Sequence, residues 1–271
     1  MVADGIELTV LLDGQPLPSR EGIVGFCSNV LIEGAKRTLV DVGHVGRRTA
    51  LQAALAARNL TPADIDCVVM THAHWDHAQN LDVFPSAEIL MHPAERRYAA
   101  RPHPNDWATP AWSGKMIEHQ TRIVEVEEGS EIEPGVSILY TPGHSPGSVC
   151  VAVDNGEHLN VITGDVLQYS TAALTKVNPV VFWNDAQATR SIERVLEMGA
   201  VMFPGHDRPF RLIDGKVVYE YPFSLTLMGV DPEGEGVAFD KTPAPRFVMP
   251  GIEEQTLNHL KQSSDTATEV G

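Results

Sequence analysis

Apolar positions along the chain switch between two periods. Residues 6–12 and 23–32 alternate or run apolar, and 38–43 (TLVDVG) is a short apolar run closed by a glycine; all three predict strands. Over 47–59, Ala50, Leu51, Ala54 and Leu55 recur at helical spacing. Thr61-Pro62-Ala63-Asp64 is a capping box with proline at its first helical position, which predicts a second short helix. Residues 67–70 then form a buried strand, 88–91 another strand, and 93–100 a helix. Residues 101–119 carry three prolines and two tryptophans and predict an irregular lid or binding loop. Trp107 and Trp112 either line a pocket there or pack the loop onto the body. Strands follow at 122–126, 137–140, 149–153 and 159–163. Asn184, with Gln187 three residues on, starts an amphipathic helix striped by Ile192, Val195 and Leu196 and closed at Gly199, before a strand at 201–203. This order predicts an α+β fold with helices on the outer faces of sheets.

Composition narrows the class. A chain of 271 residues with 43% hydrophobic and 21% charged residues affords a sizeable core in one large domain or two small ones. The formal charge of −16 disfavours nucleic acid as a general partner. Cys27, Cys67 and Cys150 each lie in an apolar run, which reads as buried reduced thiols in a reducing compartment. No leader pattern opens the chain, and no stretch nears the roughly 18–20 apolar residues of a membrane span, so a soluble cytoplasmic protein with no membrane partner is expected. Residues 1–215 read as the functional domain. Residues 216–271 read as an arm on that domain or at a subunit contact, a homodimer in the latter case, with about the last ten residues disordered.

Candidate chemistry concentrates in THAHWDHAQN, residues 71–80. In extended backbone, side chains two apart point the same way, so His72 and His74 can grip one ion. Asp76 and His77 reach a neighbouring position if the chain turns into a helix there, which hints at two ions rather than one. Two ions need further donors. His144 (in TPGHSPG), Asp165 (in TGD) and His206 (in PGH) each follow a strand and a glycine. Glycine permits a tight turn and clears room for a metal centre. The other six histidines, His44, His92, His103, His119, His158 and His259, have no partner pattern.

The ordered set HxHxDH, TPGHSPG, TGD and PGH resembles the metallo-β-lactamase superfamily of dinuclear hydrolases, over about residues 38–210. The resemblance implies a four-layered αββα sandwich with the site at one edge of the paired sheets. It implies that His72, His74 and His144 hold one metal, that Asp76, His77 and His206 hold the second, and that Asp165 bridges them. Asp41 would orient ligands. Two Zn2+ ions suit the donor set, as do iron, manganese or cobalt. The reaction it implies is attack by a metal-bridging hydroxide on a lactone or similar small ester, with Asp76 as proton shuttle. Tyr169 lies near the position from which lactonases of the superfamily stabilise the oxyanion, with Gln168 at the nearer one. Among relatives, N-acyl homoserine lactonases match the site pattern best. Glyoxalase-II-type thioesterases, β-lactamase-like amidases, phosphodiesterases or nucleases, and mononuclear iron dioxygenases are the alternatives on this scaffold.

Overall fold

A computed structural model describes residues 5–15, 25–118, 120, 122–226, 229, 233–234 and 244–252. Two sheets make its centre. The first runs in spatial order through β1 (Glu7–Leu12), β2 (Asn29–Glu33), β3 (Arg37–Val40), β4 (Cys67–Val69), β5 (Glu88–Met91) and β6 (Ile123–Glu125), with β3 to β6 parallel. The second contains β7 (Glu131–Glu133), β8 (Val136–Tyr140), β9 (Val149–Asp154), β10 (Leu159–Gly164), β12 (Val201–Pro204), β13 (Phe210–Ile213) and β14 (Lys216–Tyr219). A third, two-stranded sheet pairs β11 (Val180–Val181) with β15 (Phe247–Val248) in parallel. The helices are α1 (Arg48–Ala57), α2 (Trp75–Ala78), α3 (Pro93–Ala100), α4 (Ala111–Glu118), α5 (Ser170–Thr175) and α6 (Asp185–Glu197).

Strand alternation sorts the buried side chains into three layers. Leu31, Leu39 and Val68 face outward from the first sheet, against Leu51 and Leu55 of α1 and Ile117 of α4. Val30, Ile32, Val40, Cys67 and Val69 face inward and meet Val136, Ile138, Val149, Val151, Val153 and Ile162 of the second sheet. Val161, Met202 and Phe210 face outward from the second sheet, against Ala172 and Ala173 of α5 and Ile192 and Val195 of α6. Helix, sheet, sheet, helix is the order these packings impose, the αββα sandwich that the resemblance implies.

Several expectations change in detail. The 101–119 stretch is not irregular throughout: it contains α4. Gly114 explains why, since a Cβ there would sit 1.8 Å from the Ala99 carbonyl oxygen, so its absence lets α4 press against α3. The capping box at Thr61 starts a single 3-10 turn, Pro62–Asp64, rather than a longer helix. The β13–β14 hairpin carries the second sheet to Tyr219, so a boundary at 215 falls inside it. Residues 244–252 return to the body, while the last stretch, 262–271, lies outside the described residues. All three cysteines are buried and free.

Candidate metal centre

The strands β4, β8, β10 and β12 each deliver a polar loop from their C-terminal ends. After β4 the chain stays extended to His74, then turns into α2, which carries Asp76 and His77. His144 follows β8, Asp165 opens the 3-10 turn after β10, and His206 follows Gly205 after β12. Two donor groups result: His72, His74, His144 and Asp165 in one, Asp76, His77 and His206 in the other, with ligating atoms within 4.8 Å of one another in each.

In the first group His74 Nδ1 lies 3.0 Å from His72 Nε2 and 3.0 Å from His144 Nε2. The protons are fixed from outside. His144 Nδ1 donates to the Val180 carbonyl at 2.6 Å. His72 Nδ1 donates to the Thr71 hydroxyl, which in turn donates to Asp41 Oδ2 at 2.7 Å. Both Nε2 atoms therefore present lone pairs inward. Burial and the adjacent histidines hold His72 well below the usual imidazole range, and burial with His74 brings His144 down to about 4. These are neutral imidazoles, the form that ligates.

The second group is built around carboxylates. His206 Nε2 is 3.2 Å from Asp76 Oδ2, and His77 donates from Nδ1 to Asp41 Oδ2 at 2.8 Å, which aims its Nε2 inward. Against the effect of burial, Asp165 and Asp76 raise His206 to about 9. Burial likewise opposes ionisation of Asp76, but His77 and His206 bring its carboxyl down to about 2. This half of the site calls for positive charge. Two of its three side chains are also more open, with Asp76 13% and His206 12% exposed against 1% for His144, while His77 is fully buried.

Asp165 sits between the groups with its two oxygens divided. Oδ2 is 3.4 Å from His144 Nε2, while Oδ1 is 3.3 Å from His77 Nε2 and 3.4 Å from His206 Nε2. Asp165 Oδ1 and the inward Nε2 of His77 are buried without hydrogen-bond partners. Orphaned buried acceptors are costly, and metal ions in the two donor groups would satisfy them. The donor set thus fits two divalent cations. Gly205 belongs to the same design, because a Cβ there would lie 2.1 Å from Asp165 Oδ1. Gly164 turns the chain into Asp165 at φ +48, where a Cβ would meet the Thr71 side chain at 2.6 Å.

Tyr169, expected to assist catalysis, precedes α5 and is half-buried; burial and the Asp165 charge raise its phenol. Among the described residues its hydroxyl has no hydrogen-bond partner. Gln168 makes the direct contact instead: its Nε2 donates to Asp165 Oδ2 at 2.7 Å, and its carbonyl accepts from the His206 N–H. Asp41 also accepts the Thr71 N–H at 2.9 Å, so one carboxylate fixes both Thr71 and His77. Trp75 packs partly buried beside His44 and Ala108.

One buried carboxylate that supports the site belongs to no sequence motif. Glu95 of α3 is fully buried and accepts from Ala73 N–H, Ser145 Oγ and Gly147 N–H, at 2.8, 2.7 and 2.8 Å. It ties the loop of His72 and His74 to the loop of His144. Burial raises its carboxyl above the usual range, although all three donors favour the charged form. Its signal in the sequence was position, since Glu95 shares a helix face with the buried Tyr98 and Ala99.

The fold places two candidate metal-binding groups at one edge of the sandwich, and similarity to known proteins names the class. The sequence profile of the metallo-beta-lactamase superfamily matches residues 22–206, and the chain belongs to that superfamily. It is 32% identical over 215 residues to metallo-beta-lactamase domain-containing protein 1 of Homo sapiens, covering 76% of this chain and 69% of that protein. It is 29% identical over 155 residues to an N-acyl homoserine lactonase of Bacillus thuringiensis, covering 54% and 57%. The crystal structure of a probable metal-dependent hydrolase from Staphylococcus aureus superposes with a TM-score of 0.70 at 20% identity, covering 83% of this chain and all of that one. Among the described residues, no helix is long and apolar enough to cross a membrane.

Proposed function

We propose that this protein is a dinuclear metal-dependent hydrolase that opens a lactone or a similar small ester. The observation that carries the reading is the divided carboxylate of Asp165, with one oxygen toward each donor group. His72, His74 and His144 would hold one ion, Asp76, His77 and His206 the other, and zinc suits this mixed imidazole and carboxylate set. Ions bound there supply Lewis acidity toward a carbonyl and acidify water toward neutrality. The chain's own residues do the rest. Asp41 and the Val180 carbonyl orient imidazoles, and Gln168 holds Asp165. Asp76, ionised and at the more open half, is placed to accept and return a proton. Tyr169, whose phenol feels the Asp165 charge and whose hydroxyl has no partner among the described residues, would serve a developing oxyanion. The lactonase relative supports a small ester as substrate, and the −16 charge supports a small molecule over nucleic acid.

The test is a panel of lactones, thioesters, β-lactams and phosphodiesters offered to protein of known metal content. Lactone or ester turnover that disappears in Asp165→Ala is the expected result. Turnover confined to phosphodiesters would refute the substrate class.

A further inference from the structure

The first donor group leans on a short strand inside the span that matches the superfamily, and that strand leans in turn on a segment beyond the span's end at residue 206. Residues 178–182 touch three of its four ligands. Asn178, 1% exposed, donates from Nδ2 to the Asp165 carbonyl at 2.7 Å. Val180 accepts from His144 Nδ1, and the Phe182 N–H donates to the His144 carbonyl at 2.9 Å. The Phe182 ring packs edge-on against His74 with centroids 4.7 Å apart.

Among the described residues, the strand of this segment, β11, has no partner in either large sheet. Its partner is β15, from the C-terminal arm. The Phe247 N–H donates to the Pro179 carbonyl at 2.8 Å, and the Met249 N–H to the Val181 carbonyl at 2.9 Å. The Phe247 ring packs on Phe182 at 5.3 Å. Arg246 reaches further: its Nε donates to the Asn178 carbonyl at 2.9 Å, while its guanidinium pairs with Asp185 at the start of α6. Without the arm, residues 178–182 would be an unpaired edge carrying the partners of His144 and Asp165.

We infer that the C-terminal segment 246–249 is a working part of the metal centre, a strap that sets the geometry of the first donor group, with Arg246 as a positioning residue acting through Asn178 on Asp165. Hydrogen-bond partners behind metal ligands commonly tune affinity by about ten- to a hundredfold, and Arg246 stands one residue further back. The expected loss of affinity in Arg246→Ala is therefore about tenfold. The inference rests on the proposed metal site but not on the proposed substrate.

Zn2+ affinity of the full chain is measured by competition with a chromophoric chelator, beside the melting temperature of the metal-stripped protein. Repeating the titration in a His206→Ala background assigns the first donor group its own constant. Arg246→Ala is expected to weaken that constant about tenfold. Asp185→Ala removes only the exposed ion pair and is expected to leave it unchanged. Arg246→Ala protein that melts lower yet binds Zn2+ as tightly as wild type would overturn the inference, because the strap would then be merely structural. Equal weakening by Asp185→Ala would overturn the route through Asn178. An ester panel that shows no turnover bears on the proposed reaction and leaves the titration readable.

Discussion

At the scale of single residues, the donor groups are held in place by side chains that belong to neither of them. Glu95 joins two ligand loops through three accepted hydrogen bonds. Glu95→Ala orphans Ala73 N–H and Gly147 N–H and leaves Ser145 Oγ only its contact with Ser148 Oγ. Denaturant titration of the metal-free protein should show stability lower by about 3 kcal/mol, and zinc retention should fall about tenfold. Gly205 makes the opposite case, where an added atom does the harm. Gly205→Ala puts a methyl 2.1 Å from Asp165 Oδ1 while leaving the three core layers intact. That variant should fold, as judged by circular dichroism, and lose both hydrolysis and metal at the second group. A Gly205→Ala protein with full metal content would show that Asp165 Oδ1 has more room than the geometry gives it.

At the scale of elements, helices that cap the sheets can be weakened without touching the chemistry. Asn184 accepts the Gln187 N–H at 2.9 Å and so caps α6. Asn184→Ala should cost about 1 kcal/mol in urea denaturation, with zinc stoichiometry unchanged. Legibility in the sequence followed the strength of local periodicity. The stripe of α6 was readable because one face of the helix is committed to a core, and the continuous apolar runs of β4, β9 and β10 because those strands are buried on both faces. Helix α4 was not readable, because Gly114 and the preceding prolines argue locally against a helix that packing against α3 stabilises. The hairpin β13–β14 and the strand β15 were missed for a related reason. All three are short and half-exposed, and the partner of β15 lies some way back in the chain, at β11. The ligand residues were legible because spacing and glycine neighbours mark them, whereas Glu95, Gln168 and Asn178 act through contacts that no spacing encodes.

At the scale of the whole molecule, two sheets bring loops from distant parts of the chain to one edge. The inter-sheet layer from Val30 to Ile162 therefore fixes the distance between the loop of β4 and those of β8 and β10. Ligands that bind only the folded state stabilise it, by about 2.7 kcal/mol at a free concentration one hundred times the dissociation constant. Stripping metal with a chelator should accordingly lower the melting temperature, and Zn2+ should restore it. The proposed function requires two ions that share Asp165, and elemental analysis of purified, zinc-reconstituted protein counts them. About two equivalents of metal per chain are expected, falling to about one or fewer in Asp165→Ala with loss of hydrolysis. One equivalent in wild type, with neither metal content nor turnover changed by Asp165→Ala, would contradict that requirement.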